Sequence, residues 1–264
     1  MLSVVTLVTA PMLLRRSARG PTEGATRHSG DWWAIVLLGL FDAGNATLFF
    51  AAMATTTVAV AVLSHYLAPV FVAVAAPFAL RTERRPFAVA LSLAALLGLA
   101  LVLEPWQLSS AHVGAGRPLL GAALGAGSAL FYAANVLITK RIGPRFTAEE
   151  QLVYHAILSA LIVVSVAMAS RAPLPSFEGA VRVAVGGAVV GATAGLLFLY
   201  GLRRIPAEHA GMLTFLEPLT AVLIAWAAWG ERPGLGAALG GAIVLTAGAL
   251  AIRDRAPSGP SPSV

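Results

Sequence analysis

Long apolar runs, separated by short links rich in Arg, Pro and Gly, occupy most of the chain. Eight are full length: Asp31–Ala52, Val58–Leu80, Phe87–Leu103, Leu119–Thr139, Glu149–Ala169, Val181–Leu202, Ala210–Trp229 and Leu235–Ile252. A spanning helix needs roughly 17 to 25 mostly apolar residues, and each run meets that requirement. A ninth run, Leu2–Leu14, reaches only about 20 Å as a helix. No run alternates apolar and polar positions over about ten residues, as the strands of an outer-membrane barrel do. The pattern predicts an all-α integral membrane protein with about nine spans. Links such as Arg85-Pro86, Arg117-Pro118, Ile205-Pro206 and Arg232-Pro233 are too short for anything but antiparallel neighbours.

Composition agrees. Hydrophobic residues make up 58% of the 264 and charged residues 11%, against about 25% charged in an average soluble domain. Mean hydropathy is +0.82. A soluble enzyme, a disordered chain and a fibrous repeat are excluded. The chain has no cysteine, which removes disulfides, thiolate metal sites and Cys nucleophiles.

The net charge of +6 comes from clusters between spans, which argues against nucleic acid as a partner. Arg15, Arg16, Arg19, Arg27, Arg81, Arg84, Arg85, Lys140, Arg141, Arg145, Arg203, Arg204, Arg253 and Arg255 fall on one side of a strict alternation. Only Arg117, Arg171, Arg182 and Arg232 fall on the other. Basic residues favour the cytoplasmic side, so the C-terminus is expected there. The Pro/Ser-rich end of the chain reads as a disordered tail.

The chain also repeats itself. Thr57–Glu83 (TVAVAVLSHYLAPVFVAVAAPFALRTE) parallels Pro206–Glu231 (PAEHAGMLTFLEPLTAVLIAWAAWGE). Each has a Pro about one third of the way in, Pro69 and Pro218, and ends on Glu beside Arg. A small-residue apolar helix follows each. The offset of 148 to 149 residues also pairs Leu2–Leu14 with about 151–163, and Trp33–Met53 with Arg182–Leu202. One copy then holds five spans and the other four, the partner of Leu119–Thr139 being expected upstream of Met1. Five spans per copy is odd, so the copies have opposite orientations, the inverted-repeat architecture of many secondary transporters. The expected boundaries are residues 1–105 for the first repeat, lacking its first helix, 106–118 for an external linker, 119–252 for the second repeat and 253–264 for the tail.

LSHYLAPVFVAVAAPFALRTERRPF and MLTFLEPLTAVLIAWAAWGERPGLGAALGGAIVLTAGALAI resemble the EamA repeat of the drug/metabolite transporter superfamily. Its pattern is an apolar helix with a central Pro, a Gly-Glu pair, then a final Gly-bearing helix. Gly230-Glu231 matches in full, while Arg81-Thr82-Glu83 lacks the Gly. The resemblance covers about residues 31–252. It implies a ten-helix inner-membrane carrier of small metabolites, often an exporter of amino acids or related compounds. It implies two inverted EamA-type bundles, no cofactor and no enzymatic activity.

Ionisable residues at membrane depth cost roughly 2.5–3.5 kcal/mol on insertion scales, so the few present are candidates. Asp42 and Asn45, three apart, share a helix face. Asp42 suits a cation, an amine or a proton. Glu217 precedes Pro218, whose missing N–H is expected to free the carbonyl near position 214. His65 and Tyr66 stand one turn before Pro69, His155 lies in its own span, and Tyr132 and Asn135 share a face. These eight residues are the expected substrate-binding set. The competing reading for each is interhelical packing. No His spacing suits a metal. Glu83 and Glu231 are expected to pair with neighbouring Arg residues or to cap the next helix. Gly121/Gly125, Gly187/Gly191/Gly195 and Gly236/Gly240 form Gly-x-x-x-Gly patterns for close helix approach.

The expected partners are a small-molecule substrate and the lipid bilayer, and a homodimer is possible. The alternatives are an inactive remnant or a non-transporting membrane partner. An intramembrane enzyme ranks last, because no catalytic motif is present and the loops are short.

Overall fold

The computed structural model describes residues 29–106, 117–171, 176–230 and 233–254. Leu2–Leu14, residues 107–116 of the expected linker, Glu231 and residues 255–264 of the expected tail lie outside it. Among the described residues every regular element is a helix. In chain order these are α1 Ser29–Thr55, α2 Val58–His65, α3 Ala68–Leu80, α4 Pro86–Leu103, α5 Pro118–Ile142, α6 Ala148–Ala169, α7 Phe177–Gly186, α8 Ala192–Arg204, α9 Ala207–Leu213, α10 Leu216–Trp229 and α11 Leu235–Arg253. Taken as continuous rods, they give eight helices long and apolar enough to cross a membrane. Arg253, counted above with the tail, is the last helical residue.

Three expected spans are interrupted. In the first, Tyr66 and Leu67 form a tight turn between α2 and α3. Leu67 N–H turns back to the Ser64 carbonyl at 3.3 Å. In the second, Thr214 and Phe215 separate α9 from α10, each donating three residues back, to Gly211 and Met212, at 3.2 Å. The cause is the proline just downstream, which supplies no N–H and crowds the preceding turn. The two turns lie 148 residues apart, the offset of the sequence repeat. The third interruption is a π turn at Gly187–Gly191 that joins α7 to α8. Two of its five residues are glycine, which lowers the resistance to such widening. That span also starts earlier than its apolar pattern suggests, because the Ser176 hydroxyl accepts from Gly179 N–H at 3.1 Å and caps α7.

Helix ends explain the one departure from the repeat's Gly-Glu pattern. Gly230 ends α10 at φ 72°, and Arg81 ends α3 at φ 56°, both left-handed. A residue with a Cβ pays roughly 1–2 kcal/mol for that conformation. Arg81→Gly is therefore expected to stabilise the protein by about 1 kcal/mol. A rise in the thermal unfolding midpoint in detergent would register it; a fall would show that the Arg81 side chain contributes more than its backbone strain.

Contacts divide the chain into two compact units, and the division falls inside α1 and α5. One unit holds α1 to Leu48 together with Phe131–Ile205. Its α1 packs through Ile35 and Leu38 against Ile142 and Phe146. Gly39 accommodates α6, since a Cβ there would lie 2.7 Å from Leu158 Cβ. Ala148 and Leu152 of α6 meet Ala192 and Leu199 of α8. A capping box starts α6, with Glu150 N–H on the Thr147 hydroxyl at 3.2 Å and Thr147 N–H on the Glu150 carboxylate at 2.8 Å. Lys140 Nζ donates to the carbonyls of Leu202 (2.5 Å) and Ile205 (2.7 Å), placing a cation at the negative end of α8.

The second unit holds Phe49–Leu130 and the chain from Pro206 on. Its core joins Leu91, Ala95 and Leu99 of α4 to Met212, Phe215 and Leu219, and to Val244, Ala247 and Ala251 of α11. The closest approach is between Gly98 and Gly240, where a Cβ on Gly98 would sit 2.7 Å from the Gly240 carbonyl. Both ends of this antiparallel pair are tied. Arg85, at the start of α4, donates to the Asp254 carbonyl at 3.3 Å, at the end of α11. The Glu104 carboxylate, at the end of α4, lies beside Gly234 and Gly236 at the start of α11. Each charge has the sign that opposes the α11 dipole at its end. Arg85 also pairs with the buried Glu208 at 3.4 Å. No side chain caps α4, so the exposed Glu83 is not its cap.

Candidate functional site

In the second unit, the two kinks bring candidate residues from both repeats together. Tyr66 Oη donates to Glu217 Oε2 at 3.0 Å, across 151 residues of sequence. The Tyr66 ring packs 5.5 Å from that of Phe215. Gly211 allows the approach, since a Cβ there would meet Pro69 Cα at 3.4 Å and Val72 Cβ at 3.6 Å. Glu217 is exposed, although it lies within a span. A carboxylate at membrane depth is costly against lipid, and the Tyr66 hydroxyl supplies it with one polar partner. The expectation that Pro218 frees the carbonyl at position 214 is corrected. The Thr214 carbonyl accepts from Glu217 N–H at 3.0 Å, because the tightened turn supplies a closer donor.

His65 is held by neighbours that include Ser128, Phe49 and Tyr66. Its Nδ1 lies 2.7 Å from the hydroxyl of Ser128 on α5. The Phe49 ring lies 4.8 Å away and the Tyr66 ring 6.0 Å away, nearly perpendicular. Gly121 and Gly125 bring α5 close enough. A Cβ on Gly121 would collide with the Thr56 side chain, and one on Gly125 would lie 2.7 Å from Ser64 Cβ. Close approach, the reading given to this glycine pair, has a defined purpose here.

In the first unit, Asp42 Oδ2 and Asn45 Oδ1 are buried with no hydrogen-bond partner among the described residues. Both atoms are acceptors, and burying an acceptor without a donor costs about 1–3 kcal/mol. Asn135 spans two helices: its amide nitrogen donates to the Leu38 carbonyl at 3.4 Å, and its oxygen accepts from Thr139 at 3.3 Å. Tyr132 is half-buried on the same helix. His155 is tied to its own helix through Nδ1, 2.5 Å from the Gln151 carbonyl.

The structure thus brings together Tyr66 with Glu217, and Asn135 with α1, while His155 bonds within its own helix. Three groups escaped sequence reasoning. Ser128 is fully buried, His209 carries a buried Nε2 with no partner among the described residues, and Gln151 carries a similar orphan Oε1. Ser128 sits among small residues, while Gln151 and His209 each follow an acidic residue at a helix start, where a solvated first turn is the ordinary reading. Among the described residues no three His, Cys, Asp or Glu side chains gather into a metal-sized group.

Duplicated, proline-kinked helices with sparse polar groups at membrane depth define a multi-pass membrane protein of the transporter class. Comparison with known proteins agrees. The EamA-like transporter family matches residues 1–104 and 119–253, and the chain belongs to that family. It is 30% identical over 228 residues to an uncharacterised transporter of Archaeoglobus fulgidus, covering 83% of this chain and 76% of the relative. A protein of known crystal structure shares the fold with a TM-score of 0.75 at 21% identity, covering 95% of this chain and 86% of the other.

Proposed function

We propose that this transporter moves an amino acid or a related small compound out of the cell across the inner membrane, with its C-terminus in the cytoplasm. It works by exposing its polar groups to the two membrane faces in turn. The observation that carries this reading is the pairing of Tyr66 with an exposed Glu217, joining the kinks of both repeats at membrane depth. The orphan acceptors of Asp42 and Asn45 support it, since they lack the donors that an ammonium group would bring. No Lys or Arg occupies the middle of a span, so the intramembrane charges favour a cargo that carries N–H donors.

The test is efflux from proteoliposomes loaded with a mixture of 15N-labelled amino acids, followed by mass spectrometry. One or more species is expected to leave faster than from protein-free liposomes. Equal rates for every species would overturn the amino-acid reading.

A further inference from the structure

We infer that Arg84 and Arg81, at the end of α3, form a docking site for the phosphate of an anionic phospholipid. The Arg84 guanidinium carbon lies over the Phe78 ring, 5.2 Å from its centre. That ring is 67% exposed and stands in the last turn of α3. Val74, one turn earlier on the same face, is exposed too, and α3 carries no polar side chain. An exposed apolar face on a spanning helix is the kind of surface that acyl chains cover. The chain turns back at Arg81 and sets a cation against the end of that face, the level at which headgroup phosphates lie.

The two arginines are uncommitted inside the protein. Among the described residues neither guanidinium has an ion pair or a hydrogen-bond acceptor, and the exposed Glu83 between them pairs with neither. Arg85 differs, being taken up by Glu208 and the Asp254 carbonyl. Arg81 is held at φ 56°, where the other repeat has Gly230. Backbone strain kept at a cation with no internal partner points to a partner outside the protein. A guanidinium presents its N–H donors in a planar fork that matches phosphate oxygens. Stacking on Phe78 occupies a face of the Arg84 fork and leaves the donor edge available. A zwitterionic headgroup brings its own ammonium beside the phosphate, so the site favours an anionic one.

This inference requires only that the chain lie in a bilayer, not that it export amino acids. The chain has no cysteine, so Thr82→Cys gives a single attachment point for a fluorophore between the two arginines. In lipid nanodiscs its quenching is compared for phosphatidylglycerol and phosphatidylcholine, each with a nitroxide on the acyl chain next to the headgroup. A preference of about fivefold for phosphatidylglycerol is expected. Arg84→Gln is expected to remove most of it, and Arg81→Gln and Phe78→Leu to lower it. Arg204→Gln, the same loss of charge elsewhere, is expected to leave it unchanged. Equal quenching by the two lipids, or a preference that survives Arg84→Gln, would overturn the site. A preference unchanged by Arg81→Gln would overturn that residue's share, and an equal fall in Arg204→Gln would reduce the effect to overall charge. Loss of the preference in millimolar inorganic phosphate, at constant ionic strength, would make the site one for free phosphate and overturn the lipid reading.

Discussion

Glu217→Gln is expected to lower efflux about ten- to a hundredfold while leaving the amount of protein in the membrane unchanged. Glutamine keeps the volume of glutamate, and its carbonyl can still accept from the Tyr66 hydroxyl, which lies 3.0 Å from the native carboxylate. What disappears is the charge. A hydrogen bond to a charged group is worth about 1.5–3 kcal/mol, and each 1.4 kcal/mol is a factor of ten. Asp42→Asn tests the other unit on the same logic. Asparagine removes the charge that Asp42 carries where its Oδ2 finds no donor among the described residues, so the fold is expected to gain slightly while transport falls. A gain in stability with a loss of function distinguishes a working acceptor from a packing residue. Wild-type efflux from both variants would remove both residues from the site.

The largest expected effect on folding comes from Gly98→Val. A Cβ at that position would lie 2.7 Å from the Gly240 carbonyl and 3.1 Å from Ile243 Cβ. The nearest obstacle is backbone, so no rotamer change relieves it, and the α4–α11 pair has to separate. Overpacking in a tight core costs about 1–3 kcal/mol and sometimes more. Gly240→Val meets the same surface from the opposite side, with Leu101 Cβ and Val102 N both 2.9 Å from its Cβ. Gly248→Ala is the control, because a Cβ there meets nothing within 4 Å. Size-exclusion profiles in detergent should show aggregate or little protein for the two valine variants and a wild-type peak for the control. A wild-type peak for Gly98→Val would mean that the two helices tolerate separation.

The spans were legible because lipid imposes a simple rule on composition, and the repeat was legible because its prolines recur at nearly one offset. The positions of both helix breaks follow from those prolines. The capping box at Thr147 and Glu150 was written in the sequence too, yet the apolar pattern alone starts that helix at Glu149. The left-handed end at Arg81 was hidden, because nothing about an arginine announces a positive φ. The site was legible only as a set of residue types. Tyr66 and Glu217 stood out as polar groups at depth, but their meeting depends on two kinks 148 residues apart. Ser128 could not be distinguished from the many small residues that merely fill helix interfaces. Arg85 finding Glu208 and the Asp254 carbonyl, rather than its neighbour Glu83, is likewise a product of tertiary packing.

The α4–α11 pair has a consequence for biosynthesis. Its partners come from opposite ends of the chain: α4 ends at Leu103 and α11 begins at Leu235. At roughly 5–20 residues per second, a ribosome takes on the order of ten seconds to make the intervening stretch of about 130 residues. Throughout that interval the Gly98 face of α4 lies without its permanent neighbour. The second unit therefore closes only after the last span has left the ribosome, and a transcript that fails late leaves an incompletely closed bundle rather than a shortened transporter.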